Sequence, residues 1–387
     1  MPAGQPLESS QTADVVIVGG GVIGLSVARA LAKRGVRNVI VVDRNEFGRE
    51  ASWAAGGILA PQVEADEDDN FFRIACASRD LYPEFTKALQ SETGIDVQLD
   101  TTGTLYVAFA DDEEAEFRTR FAWQQGQHLA VEWLDCDGAH KLEPLLSERV
   151  RCALRFPNDF QVENRRLVNA LLIANERLGV RLSKECEASA IRTEKARAAG
   201  IETTQGFISA PIIVLAAGAW TSSIASSTAL PQIEMKPVRG QMLSFDPTEQ
   251  LARHVIYSSR GYLIPRSDGR LLAGSTTEMA GFEKRVTEEG VHAISSMAFE
   301  ILPALASLPV DASWAGFRPC AKDGLPVLGP TKRIDGLFYA TGHYRNGILL
   351  APITGELITE AIISRSSPSL LSAFSPDRFE VQTKIGM

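Results

Sequence analysis

The chain has 387 residues, 45% of them hydrophobic and 22% charged, which is ordinary globular usage; a disordered chain or a coiled coil is excluded, and the length suggests two structural units. The formal net charge of −9 argues against a nucleic-acid-binding or anionic-membrane surface, so any anionic ligand must be held by specific residues. Five scattered cysteines, with no CxxC pair, fit reduced thiols better than a disulfide frame or a zinc site.

In chain order, the opening MPAGQPLESSQT lacks the basic and apolar regions of a signal peptide and reads as a loose polar tail. DVVIVG follows as a continuous β-branched run suited to a buried parallel strand, GLSVARALAKRG as a helix closed by Gly35, and NVIVVD as a second strand. The run VVIVGGGVIGLSV is broken by four glycines and is too short to span a bilayer, so we expect a soluble cytoplasmic protein with no membrane span. Between the first strand and its helix lies GxGxxG: Gly19 permits the tight turn, Gly21 a close approach to a pyrophosphate, and Gly24 close packing of helix on strand. Asp43 ends the second strand nineteen positions beyond Gly24, where a carboxylate can accept from ribose hydroxyls. Together these predict a dinucleotide site.

REASWAAGGILAP, Arg49 to Pro61, is a small-residue run whose backbone can wrap a flat ligand and offer it N–H groups. From about Asp80 to Arg149 the texture turns to mixed helices and short strands such as TGTLYVAF, and the acidic clusters EADEDD and DDEEAE read as solvated faces or loops. NRRLVNALLIANERLGV is a helix, RLSKECEASAIRT a strand, and FISAPIIVLAAGAW a strand whose small-residue end, Ala217 and Gly218, can pack beside a nucleotide. EMKPVRGQMLSF, HVIYSS, GYLIPR and RLLAGST predict short antiparallel strands. WAGFRPCAKDGLPVLGP and LFYATGHYRNGILLAP return to strand and loop, and the latter feeds a helix, its apolar residues recurring at helical spacing from just after Gly347 on through ITGELITEAII, whose first turn carries polar groups. No HExxH or GxSxG pattern points to a metallohydrolase or serine hydrolase.

In their joint order VVIVGGGVIGLS, ASWAAGGILAP, GYLIPR, GFRP, DGLPVLGP and ATGHYRNGILLAP resemble the D-amino-acid-oxidase family of flavoproteins, most closely its glycine-oxidising branch linked to thiamine biosynthesis, over nearly all of residues 13 to 365. The resemblance implies an α/β fold: a Rossmann-like FAD-binding domain from 13–85, 150–230 and 312–375, interleaved with an α+β substrate domain from 86–149 and 231–311 built on an antiparallel sheet. It implies FAD, held noncovalently by Gly19, Gly21, Val22, Ile23, Gly24, Asp43 and Arg44, by Ala51, Ser52, Gly56, Gly57 and Ile58, by Ala188, Ala217 and Gly218, and by the loop His343, Tyr344, Arg345, Asn346, Gly347, Ile348 and Leu349.

Arg318 matches the arginine that binds an amino-acid carboxylate in similar oxidases, Tyr262 matches a tyrosine that reaches the same group, and Arg345 is a second cation; Arg260, Thr277 and Ile58 are candidates for the pocket wall, and Cys320 is expected to be inert. The implied reaction is oxidation of glycine or a similar small amino acid by dioxygen, giving a 2-oxo acid, ammonia and hydrogen peroxide, in a homo-oligomer. A D-amino-acid or sarcosine dehydrogenase using another acceptor, and an FAD-bound scaffold, are the alternatives; retention of Arg318 and Tyr262 favours an enzyme.

Overall fold

The computed structural model describes residues 11–225 and 233–379; the first ten residues of the expected polar tail lie outside the described residues. The chain divides into two compact units, the first from 1–52, 168–236 and 318–387, the second from 53–167 and 237–317. Segments 53–85, 150–167 and 312–317, expected in the dinucleotide-binding domain, therefore fall in the second unit, and 233–236, expected in the substrate domain, in the first; local bonds account for the two largest shifts. Ile58–Leu59 pairs antiparallel with Phe160–Gln161. The buried Asp159 carboxylate accepts from the amides of Gln62 and Val63 at 3.3 and 3.0 Å, and Arg79 donates to Gln62 Oε1 at 3.1 Å.

The first unit contains the expected βαβ element: Val15–Val18, the helix Val22–Lys33, then Val39–Val42 in parallel register with the first strand. A six-stranded sheet grows outward from it on both sides. Its order is Val327–Pro330, Leu337–Thr341, Ile212–Leu215, Val15–Val18, Val39–Val42, Arg181–Ser183, parallel except at the first strand. Val15–Val18 and Val39–Val42 are buried along their whole length, as a parallel sheet covered on two faces requires.

RLSKECEASAIRT does not form one strand. Arg181–Ser183 stays in the large sheet, while Ala188–Glu194 joins a four-stranded sheet with Arg197–Thr203, Gly206–Ser209 and Gln11–Thr12. The break falls at Glu185, whose φ of 54° no strand tolerates. FISAPIIVL divides likewise at Pro211, which cannot donate to a ladder. The last helix runs Ala351–Ser364, later than the loop sequence suggested, and its first turn is apolar, with Pro352 in its favoured place there. This helix lies close on Val22–Lys33: a Cβ at Gly355 would stand 2.9 Å from the Ser26 carbonyl oxygen.

The second unit is organised by an eight-stranded sheet in the order Ala312–Ala321, Met235–Phe245, Leu271–Gly274, Gly261–Pro265, Val255–Ser258, Thr104–Ala108, Cys152–Phe156, Glu132–Asp135; its two longest strands, Ala312–Ala321 and Met235–Phe245, continue past the division of the chain. It is mainly antiparallel, but Val255–Ser258 and Thr104–Ala108 run parallel. Alternation sorts its residues onto two faces. Leu243, Ile256, Leu263 and Ala273 pack with the helix Glu288–Ile301, whereas Met242, Tyr257, Tyr262 and Leu272 pack with Phe117 and Trp314.

Candidate functional site

In the first unit the glycine turn is shaped by backbone against backbone. Gly19 has φ 110°, and a Cβ on it would lie 2.4 Å from the Ala216 carbonyl oxygen. A Cβ on Gly24 would lie 1.9 Å from the carbonyl oxygen of Gly19, so the helix could not rise from the turn with any larger residue. Gly21 is the N-cap of that helix and has no side chain to cap it; Ser52 Oγ supplies the cap from a distant segment, accepting from the Val22 amide at 2.9 Å. The amides of Ile23 and Gly24 lie in the first turn, where no carbonyl of the helix can reach them, so the helix start offers N–H donors and a positive dipole end.

Asp43 stands where the strand ends. Its Oδ2 accepts from the Gly20 amide at 2.8 Å and its Oδ1 from the Asn45 amide at 3.0 Å. Burial raises its pKa, and the two amides and neighbouring Arg44 pull it back. Gly20 was overlooked in the sequence as the residue that locks this carboxylate; the triple glycine was the available signal. A Cβ on Gly20 would also strike the Phe47 ring at 1.9 Å. Arg44 lies over the Trp220 ring, 3.7 Å from its centroid, and faces Glu50 at 3.5 Å. Ala217 and Gly218 form a tight turn; the Gly218 carbonyl accepts from Thr221 Oγ1 at 2.8 Å, and a Cβ on Gly218 would meet nothing within 4 Å. Ala188 opens its strand, buried in the unit's core. A cradle that any Cβ would fill, an open helix start and a carboxylate at the strand end fit a dinucleotide.

The loop after Leu337–Thr341 uses its first side chain internally. His343 is buried and its Nε2 lies 3.1 Å from Thr354 Oγ1 in the following helix. Burial pulls the imidazole pKa down to about 3, so it is neutral. Leu350 donates to the Asn346 carbonyl at 2.9 Å and Asn346 to that of His343 at 2.8 Å, closing successive turns in which Gly347 has open space beside it, the nearest atom to an added Cβ being His343 Cβ at 3.7 Å. Ile348 and Leu349 are buried in these turns, and Tyr344 takes φ 47°.

An antiparallel bridge pairs Cys320 with His343, and the Tyr344 amide donates to the Pro319 carbonyl at 2.9 Å. Arg318, half-buried, lies two residues before Cys320, and Arg345, exposed, two residues after His343, so both are on the segments that this bridge joins. The sequence offered these two arginines as separate candidates, and the bridge is what joins the segments that carry them. Burial raises the Cys320 thiol pKa, and its Sγ lies 3.4 Å from the Ala321 carbonyl, as suits an inert thiol.

In the second unit Tyr262 is buried, its hydroxyl donating to Ser275 Oγ at 3.0 Å. Arg260 is ion-paired with Glu300, and Thr277 is exposed. The turn after Ala51–Ala54 is fastened by side chains that the sequence reading did not single out. Asn164 Nδ2 and Arg165 Nε donate to the Trp53 carbonyl at 3.1 and 3.4 Å, and the Trp314 indole donates to that of Ala54 at 3.0 Å. The buried Arg266 donates to the Gly56 carbonyl at 2.8 Å and to that of Val162 at 2.9 Å. Because a trans peptide sets N–H opposite C=O, anchoring the Trp53, Ala54 and Gly56 carbonyls on the protein fixes the outward direction of the Ala54, Ala55 and Gly57 amides. Ile58 begins the next strand. Arg266 was in view within GYLIPR, but no local pattern marks an arginine whose partners lie more than a hundred residues away.

Among the described residues no group of three or more His, Cys, Asp or Glu is placed to hold a metal ion, and no helix is long and apolar enough to cross a membrane. A family model described as DAO, FAD dependent oxidoreductase, matches residues 14–361. The chain is 36% identical over 349 residues to glycine oxidase of Pseudomonas putida, covering 90% of this chain and 94% of that one. It is 31% identical over 407 residues to the hydrogen cyanide synthase subunit HcnC of Pseudomonas aeruginosa, covering 96% and 97%. Among solved structures, glycine oxidase from Geobacillus kaustophilus superposes with a TM-score of 0.91 at 33% identity, covering 95% of this chain and 99% of that one.

Proposed function

Because the chain belongs to the DAO family of FAD-dependent oxidoreductases, we propose that it oxidises glycine or a similarly small amino acid: glycine, dioxygen and water go to glyoxylate, ammonia and hydrogen peroxide. The observation that carries this reading is the bridge Cys320–His343, which sets Arg318 and Arg345 on adjacent segments of the same unit that carries the dinucleotide turn. One mobile cation is common on any surface. Two arginines carried on adjoining segments of a net-acidic protein suit a carboxylate.

Bound FAD, held noncovalently, would accept the two electrons taken from the substrate carbon and pass them to dioxygen. Gly19 to Gly24 and Asp43 would hold its pyrophosphate and ribose, with Arg44, Ala51, Ser52, Gly56 to Ile58, Ala188, Ala217, Gly218 and the turns from His343 to Leu349 completing the contacts. Arg318 would bind the substrate carboxylate through two parallel hydrogen bonds, the Tyr262 hydroxyl would add a third, and together they would fix which carbon is presented. A guanidinium beside the substrate has a second effect. Its positive field disfavours a protonated amine, so the substrate nitrogen stays neutral with its lone pair available, and no side chain is needed to remove a proton from carbon.

Steady-state peroxide formation with glycine, sarcosine and D-alanine tests the reading, with glycine or sarcosine expected to be turned over best. Flavin bleaching by glycine without reoxidation by dioxygen would replace the oxidase by a dehydrogenase. No bleaching by any of the three would leave an FAD-bound scaffold.

A further inference from the structure

The second unit's sheet aligns a transverse row of residues on one face. Register pairs Tyr106 with Tyr257, Tyr257 with Tyr262, Tyr262 with Gly274 and Gly274 with Met242. Tyr262 is held from both sides. The Tyr257 ring lies 5.3 Å away at 49°, and on the other side Gly274 leaves a gap that Met242 fills, since a Cβ there would stand 2.1 Å from Met242 Sδ and 3.3 Å from Tyr262 Cε2. The ring is thereby fixed and only its hydroxyl proton can turn. Two acceptors lie within reach of it: Ser275 Oγ at 3.0 Å, and Met242 Sδ, a weak one, at 3.7 Å.

We infer that Ser275 is a positioning residue for the Tyr262 hydroxyl, and that the two hydroxyls exchange donor and acceptor roles when a substrate carboxylate arrives. This rests on the proposed role of Tyr262 as a carboxylate contact. Without substrate, the Tyr262 O–H donates to Ser275 Oγ. With substrate, that proton turns to the carboxylate, and the Ser275 O–H turns to donate to the phenol oxygen; each proton stays on its own oxygen. A phenol that accepts one hydrogen bond while donating another is a stronger donor, because hydrogen bonds in a chain polarise one another. Without Ser275 the phenol would have Met242 Sδ as its remaining neighbour among these two, which gives no such support.

The test uses the FAD-loaded enzyme and two probes: acetate, a carboxylate without an amine, followed by its perturbation of the flavin spectrum, and glycine, followed by anaerobic flavin reduction. Ser275→Ala should weaken acetate binding and raise the apparent glycine dissociation constant about three- to tenfold, with the limiting reduction rate changed less than twofold. Ser275→Thr, which keeps the hydroxyl, should stay within twofold of wild type. In a Tyr262→Phe background Ser275→Ala should have no further effect. Flavin content and thermal midpoint monitor folding. Independent effects that multiply in the double variant, or equal losses in the Ala and Thr variants, would overturn the inference while the Tyr262 role stands. If Tyr262→Phe alone leaves acetate and glycine affinity unchanged, the role of Tyr262 fails and the inference fails with it.

Discussion

At Gly19 and Gly24 in the first unit, main chain touches main chain: the atoms that exclude a Cβ are the carbonyl oxygens of Ala216 and Gly19. Around Gly56 in the second unit, where an added Cβ would meet the Ile264 side chain at 2.5 Å, the turn is fastened by the side chains of Asn164, Arg165, Trp314 and Arg266, each donating to a main-chain carbonyl in or beside it. A backbone contact has no rotamer through which to relax. A turn held by several side chains can lose one and keep the others. The first should therefore respond to substitution as a whole, the second in steps.

The largest effect expected is at Gly24. Gly24→Ala would place a methyl group 1.9 Å from the Gly19 carbonyl oxygen, so the helix must move off the turn, and the variant should be recovered without FAD, as judged by flavin absorbance per protein. Full flavin content would show that this turn also yields. Next comes Arg266→Met, which leaves the Gly56 and Val162 carbonyls without their donor in a buried place. At about 1 to 3 kcal/mol for each unsatisfied group, partly recovered by relaxation, the loss of stability should be roughly 2 to 4 kcal/mol in urea unfolding, with FAD still bound. A loss of FAD as complete as in Gly24→Ala would erase the distinction between the two turns.

The units should also differ in their response to acid. In the first, His343 has its pKa lowered to about 3 by burial, so between about pH 6.5 and 3 the unfolded chain binds a proton that the folded one refuses, and stability falls as pH falls. In the second, Asp159 has its pKa raised to about 7, chiefly by burial, so the folded state holds a proton the unfolded chain has released, and stability falls as pH rises from about 4 to 7. His343→Gln should flatten the acid side of a profile of thermal midpoint against pH, and Asp159→Asn should remove the loss toward neutrality. Slopes unchanged in both variants would mean that neither group titrates as its burial implies. Smallest is Arg44→Leu: removing the guanidinium from the Trp220 face should weaken FAD binding by roughly 0.5 to 2 kcal/mol, measured by titration of the FAD-free protein.

What the sequence showed follows the same division. The strand, glycine turn, helix, strand and Asp43 all lie within thirty residues, and their periodicity and spacing were readable because the contacts that shape them are mostly local. Two details of even this region depended on distance: the Ser52 cap and the Ala216 carbonyl against Gly19. The split of RLSKECEASAIRT between two sheets was hidden because polar and small residues continue across Glu185 with no glycine or proline to mark the bend. The start of the last helix was misplaced because Ile348 to Leu350 are as buried in their turns as they would be in a helix. Arg318 and Arg345 were each legible through resemblance, but the adjacency of their segments was not, since it depends on a single bridge.

That adjacency is the centre of the functional account, and anaerobic stopped-flow reduction of the flavin by glycine tests it most directly, comparing wild type with Arg318→Ala and confirming flavin content by absorbance. Removing one partner of a desolvated charge pair costs ~3 to 5 kcal/mol, so the efficiency of reduction should fall by about a hundredfold to a few thousandfold while FAD stays bound. Reduction of the Arg318→Ala flavin at near wild-type efficiency would contradict the account and move the carboxylate site to Arg345.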